Sequence, residues 1–246
     1  MSHSKVIPMK ETRIVKYEIK SIPGFENVEF TESSDSRLTV PQAFKFARKH
    51  NSTLQSLREA MAFHIDANDM DNADDRQWTR TGAIYVPKGK KVYVAFDDSF
   101  MEEFAQRGYD AHVADKSFLL SAKDKPIAQA IERARDTKRY VEVAKQGSLE
   151  LALSVFGKDE TVVAAAQDMA APYASHLKSK KYSNGCIRLL KHVAEGKVEV
   201  RPVGLGGGYD DDVYAVDYFV NGRRARGVRL AQKISTRNKG LVGSKK

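Results

Sequence analysis

Six histidines, one cysteine and several acidic clusters carry the reactive chemistry of this 246-residue sequence. His3, His50, His64, His112, His176 and His192 are scattered along it. No two keep the H-x-x-x-H spacing that sets a pair of imidazoles on one helical face for zinc. His64 falls on an apolar helical side and reads as a satisfied core residue. Asp97 and Asp98 end a strand-like run. Carboxylates in that position could hold Mg²⁺, an ion that wants hard oxygens held rigidly. They also precede a helix start, where negative charge favours the macrodipole, and this plainer reading is preferred. Asp69 and Asp71 have the alternate spacing of a calcium loop. Their stretch, residues 66–75, lacks the glycine at the sixth position and the glutamate at the twelfth, so it reads as a solvated loop. The run Gly204 to Gly208 leads into Asp210, Asp211 and Asp212 and then a strand, not a helix. It therefore reads as a flexible connection and not as a phosphate cradle. The expectation is no cofactor and no metal, with Asp97 and Asp98 as the alternative.

Cys186 offers a second chemistry. The segment Tyr182-Ser183-Asn184-Gly185-Cys186-Ile187-Arg188-Leu189 resembles the active-site segment of L,D-transpeptidases. That resemblance implies Cys186 as nucleophile and Arg188 as a supporting residue. Ser183 or Asn184 would cap a helix opening at the cysteine, and a thiol at a helix N-terminus is activated. The family's His-Gly pair has no match here: His176 precedes the cysteine by ten residues and is followed by Leu177. Cys186, Leu189, Leu190 and Val193 also keep helical spacing, which makes the cysteine a small buried hydrophobe. The second reading is preferred, so no catalytic residue is expected and Cys186 stands as the alternative. A single cysteine excludes an intrachain disulfide and a zinc site of several thiolates.

Charge is distributed unevenly. The net charge is +9, and residues 223–246 hold nine basic residues and no acidic one. The first 222 residues are therefore neutral overall. Arg223, Arg224, Arg226, Arg229, Lys233, Arg237 and Lys239 lie in this arm, and Lys178, Lys180 and Lys181 form a second cluster beside Tyr182. Guanidinium groups fork onto phosphates and stack on bases. Tyr214 and Tyr218 would share one strand face beside them and could stack on bases. The functional expectation is a non-enzymatic, intracellular protein that contacts nucleic acid, or an acidic protein surface, through its C-terminal arm. An enzyme and a viral or assembly structural protein are the alternatives. The N-terminus is polar and lacks the apolar core of a secretory signal, hence the intracellular expectation. No apolar run reaches the roughly 18 residues of a spanning helix.

The elements that would position these groups can be read from periodicity. Residues 12–19 alternate like a strand. Residues 41–50 and about 54–65 read as helices, the second with Ser56 and Glu59 as a capping box. Residues 83–86 and 91–96 flank a turn and form a hairpin. Ser99 and Glu102 resemble a second capping box. Ile127, Ala130, Ile131 and Ala134 mark a helix whose other side, Arg133, Arg135, Lys138 and Arg139, reads as solvated. Residues 140–143 form a short strand. Residues 148–156 and those from 159 onward read as helices, with Pro172 kinking or ending the last. Residues 197–203 alternate as a strand. Residues 213–220 and 224–230 flank Asn221-Gly222, a strong hairpin signal, so the basic arm would be presented on a return strand.

The fold class is therefore α+β, with antiparallel hairpins near both ends of the chain, a helical middle and a short basic C-terminal tail. Residues 1–122 form a mixed region. Residues 123–231 form a helical segment followed by antiparallel strands, either separate or continuous with the first region. Residues 232–246 form a disordered basic tail.

Overall fold

The computed structural model of the chain describes residues 17–19, 22–67, 76–114, 118–144, 150–152, 160–179, 186–188, 197–206, 213–215 and 223–230. In chain order the first elements are β1 (Tyr17–Glu18), β2 (Val28–Phe30), α1 (Val40–Lys49), β3 (Thr53–Leu54) and α2 (Leu57–Ala67). There follow β4 (Gln77–Lys88), β5 (Lys91–Asp97), α3 (Met101–Val113), β6 (Leu119–Leu120), α4 (Lys125–Asp136) and β7 (Tyr140–Ala144). The last are β8 (Glu150–Ala152), α5 (Glu160–Ala166), a 3₁₀ turn (Gln167–Met169), α6 (Ala170–Ser179), β9 (Cys186–Arg188), β10 (Val198–Leu205), β11 (Val213–Ala215) and β12 (Gly227–Leu230).

The class is α+β, as expected. The larger sheet runs β7-β5-β4-β10-β11-β9-β8, with β6 added beside β10. All its pairs are antiparallel except β9 with β11. The β4–β5 hairpin is closed by the pair Lys88 and Lys91. Its turn uses Gly89 at φ 61°, a left-handed conformation that glycine adopts without steric cost. Four strands form the smaller sheet, in the order β1-β2-β12-β3.

Alternation along the central strands explains why both faces of the larger sheet are covered. Tyr85, Val94 and Phe96 point into one core with Leu57 and Met61 of α2, Val162 of α5 and Tyr173 of α6. Ile84 and Ala95 point into the other with Phe44 of α1, Phe104 of α3 and Ile127 and Ile131 of α4. A strand buried on both faces carries apolar residues at successive positions, as β4 does. The Ser56–Glu59 capping box forms as read: Ser56 N–H donates to Glu59 Oε2 at 2.6 Å and Glu59 N–H to Ser56 Oγ at 3.2 Å. His64 is buried, its ring beside those of Phe63 and Tyr173.

Several local expectations are overturned. The stretch read as a helix over 148–156 contains β8, and Cys186 opens β9 instead of lying on a helical stripe. Ser99 does not cap α3; its hydroxyl and N–H both donate to Asp97 Oδ1. Of the side of α4 read as solvated, Arg133, Arg135 and Lys138 are exposed, but Arg139, just beyond the helix, is buried. The helix expected to bend at Pro172 instead breaks earlier, at Gln167 (φ 57°), and Pro172 sits in the first turn of α6, where a missing N–H costs nothing. Gly204 is a buried strand residue of β10, not part of a loose connection. Asn221 and Gly222 lie outside the described residues. Among the described residues the strands flanking them do not pair with each other: β11 belongs to the larger sheet, and β12 inserts between β2 and β3. Of the acidic stretch 66–75, only Asp66 and Ala67 are described, at the end of α2.

Candidate functional site

A cavity of about 250 Å³ opens between α1, β3, β4 and the turn from β5 into α3. Its floor is Phe44, Ala47 and Leu54, all buried. Phe44, Ala47 and Arg48 stand at i, i+3 and i+4 on α1, so one helical face supplies all three. Asn51, at φ 51°, turns the chain out of the helix. Ser52 then donates through its hydroxyl to the Ala47 carbonyl at 2.8 Å. Thr53 Oγ1 donates to the Val228 carbonyl at 3.2 Å. This close approach of β12 needs Gly227, because a Cβ there would lie 2.0 Å from Ser52 Oγ.

The inner wall is charged but internally satisfied. Arg80 of β4 donates through Nη1 to the Leu54 carbonyl at 2.7 Å and to Thr53 Oγ1 at 3.2 Å. Its Nη2 donates to Glu59 Oε1 at 3.0 Å. Asp98 accepts from Thr81 Oγ1 at 2.5 Å and, bidentately, from Arg139 at 2.7 and 3.2 Å. Ser99 completes this side, and Arg48 and Glu102 face each other at 3.2 Å, with side chains 63% and 48% exposed. The cavity therefore offers an apolar base with donors and acceptors around it.

Asp97 and Asp98, the alternative metal ligands, are each engaged by an arginine. Arg133 binds Asp97 through two bonds of 3.0 and 3.1 Å, and Arg139 binds Asp98. Burial pushes the Asp97 carboxyl up, but the bonds from Arg133 and Ser99 outweigh it and hold the group below its ordinary value. Among the described residues, no three His, Cys, Asp or Glu side chains are grouped to hold a metal ion. Cys186 starts a strand paired with Ala152, so the helix N-terminus that would activate its thiol is not there.

Arg223, Arg226 and Arg229, three of the arginines expected to present phosphate-binding groups, make contacts within the fold. Arg223 is 4% exposed, its guanidinium 4.5 Å from the Trp78 ring centre. Arg226 is 9% exposed, lies 3.9 Å from the Phe63 ring centre and donates to the Thr31 carbonyl at 2.9 Å. Arg229 donates to Glu29 at 2.8 Å. Arg224 exchanges backbone hydrogen bonds with the start of β4, its N–H donating to the Arg76 carbonyl and its carbonyl accepting from the Trp78 N–H. A flat guanidinium stacks on aromatic faces and is weakly hydrated, which lets it be buried where lysine would not be. Lys178 is exposed in the last turn of α6. Lys180, Lys181, Lys233, Arg237, Lys239 and Tyr218 lie outside the described residues, as does the side chain of Tyr214.

No family model matches the chain, and no curated protein matches it. A solved structure described as "Accommodation of massive sequence variation in Nanoarchaeota by the C-type lectin fold" is similar at a TM-score of 0.53. The identity is 12%, over 82% of this chain and 97% of that one. At that identity the likeness shows the fold alone: the scaffold is of the C-type lectin kind. This corrects the nucleic-acid expectation. The neighbour supplies no precedent for a nucleic-acid-binding fold, and the arginines on which the expectation rested are partly consumed inside the scaffold.

The sequence reading missed the cavity. Residues 41–50 were legible as a helix, and Ser99 with Glu102 as a cap, but nothing joined them. Arg80 is the one residue that carried a signal: a lone charge within an otherwise uncharged strand run, Gln77 to Val86. Such a residue needs a partner or a purpose.

Proposed function

We propose that the chain is a recognition module whose C-type lectin-type scaffold binds a small, hydroxyl-rich ligand in the cleft between α1, β3 and the β5–α3 turn. The observation that carries this reading is the lining of the cleft. Phe44 and Leu54 give an apolar base, while Arg48, Arg80, Asp98, Glu102 and three hydroxyls surround it. A compact ring with several hydroxyl groups both donates and accepts, and has an apolar face as well. Pockets for drug-sized ligands run to about 300–1,000 Å³. The present volume, about 250 Å³, suits a single sugar ring and not an oligomer.

The solved neighbour's fold is described as accommodating massive sequence variation. The framework here would support such tolerance near its cleft. Arg223, Arg226 and Arg139 lock the interior, whereas Arg48 and Glu102 stand exposed at the rim. Changes at the rim would leave the core contacts intact.

Titration of the isotope-labelled full chain with a panel of monosaccharides tests the reading. Saturable shifts are expected at the Ser52, Thr53, Arg80 and Ser99 amides. Arg80→Ala is expected to weaken binding about tenfold or more while near-ultraviolet circular dichroism stays native. A panel that moves none of these amides would overturn the proposal.

A further inference from the structure

Arg48 differs from the arginines that grip a carboxylate with a fork. Arg58 grips Asp168 through two bonds of 2.5 and 2.7 Å, and Arg133 and Arg139 grip Asp97 and Asp98 in the same forked way. Arg48 meets Glu102 only through Nε at 3.2 Å, and its side chain makes no hydrogen bond among the described residues. It is 63% exposed and lines the cleft. Both η-nitrogens therefore remain available to a ligand.

The remaining charges of the cleft are already matched. Glu59 neutralises Arg80, and Arg139 neutralises Asp98 from behind the wall. Only the Arg48–Glu102 pair is loosely held, and exposed pairs of this kind contribute little to stability. A guanidinium with a free fork is the natural receptor for a planar carboxylate, which it binds through two parallel charge-assisted bonds.

We infer that Arg48 anchors a carboxylate on the ligand, so that the cleft takes a small ring acid, such as a sugar acid, in preference to the neutral sugar. This rests on the cleft being the ligand site. Glu102 turns out to solvent as the ligand carboxylate takes its place, while Phe44 and Leu54 receive the apolar face of the ring.

The experiment compares glucuronate with glucose, and galacturonate with galactose, on the labelled full chain. Each acid is expected to bind about tenfold tighter than its neutral partner. Arg48→Gln is expected to abolish that preference, so that within the variant each acid binds no tighter than its neutral partner. Arg48→Lys keeps the charge without the fork and retains only part of the preference. Glu102→Gln is expected to tighten the acids several-fold, roughly, by removing the competing carboxylate. Equal binding of acid and neutral sugar to the unmodified chain, or an acid preference that survives Arg48→Gln, would overturn the inference while cleft shifts still supported a binding site. Absence of cleft shifts with all four sugars would overturn the inference together with the cleft reading.

Discussion

Arg139 and Asp98 form a forked ion pair of 2.7 and 3.2 Å in which the guanidinium is almost wholly buried, its side chain 7% exposed, and the carboxylate is not, at 26%. The same guanidinium donates to the carbonyls of Ala164 and Ala165, each at 3.3 Å. With the Gln167 amide turned to offer its oxygen, that oxygen accepts from Arg139 at 3.0 and 3.2 Å. One side chain thus ties the end of β5 to the end of α5, where unpaired carbonyls need donors. It also fixes the back wall of the cleft.

Arg139→Met should therefore destabilise strongly. Breaking a buried pair leaves the partner uncompensated and costs about 3–5 kcal/mol. The partial exposure of Asp98 places the expected loss near the lower end, about 3 kcal/mol. Urea unfolding measures it. Adding Asp98→Asn to Arg139→Met should cost much less than it does alone, since the two changes share one interaction.

Acid should weaken the fold in a defined window. Asp97 and Asp168 both sit below their ordinary value of 3.8. For Asp97, burial acts upward but is outweighed by Arg133 and Ser99. For Asp168, the hydrogen bonds from Arg58 act downward first. A depressed carboxyl contributes stability that is present in full above its unfolded pKa and lost as pH falls through the folded one. Stability should be flat from neutral pH down to about 5 and then fall steadily below about 4. Asp97→Asn should give a lower but shallower profile. An unchanged acid slope in that variant would contradict the assignment.

Gly204→Ala is expected to be costly for steric reasons. A Cβ there would lie 2.3 Å from Arg223 Nη1 and 3.0 Å from the Gln77 carbonyl. The guanidinium would have to leave the face of Trp78. Overpacking of this kind costs about 1–3 kcal/mol. Trp78 is the chain's single tryptophan, so its emission should report the displacement directly, together with a lowered melting temperature.

Ser56→Ala removes the side-chain half of the capping box at the start of α2. The expected loss is about 1 kcal/mol, read from the unfolding midpoint. Cleft geometry should shift only slightly, because Glu59 remains held by Arg80 at 3.0 Å.

What could be read from the residues followed a clear division. Elements with strong local periodicity were legible: the β4–β5 hairpin, α1, the α2 cap and the apolar stripe of α4. Segments whose partners lie far along the chain were misread. Cys186 to Val193 has helical spacing, yet residues 186–188 pair with β8 and β11. Tertiary pairing overrides local pattern in such short runs. The arginines were misjudged for a related reason. Charge composition counts Arg223 and Arg226 as surface, but the aromatic faces of Trp78 and Phe63 that receive them are more than 140 residues away. The cleft was invisible because its residues come from four separate elements, none unusual by itself.

The position of β12 governs the order in which the molecule can be assembled. Residues 227–230 supply the strand between β2 and β3, and Gly227 is what lets that strand close over Ser52. During synthesis from the N-terminus, β2 and β3 must wait until residues 227–230 have emerged before they share a sheet. Contacts of such long sequence separation slow folding. They also leave β3, which supplies Thr53 and Leu54 to the cleft, without its sheet partner until β12 arrives. A chain interrupted before residue 227 would hold every residue lining the cleft and still lack the strand that pairs with β3 beside it.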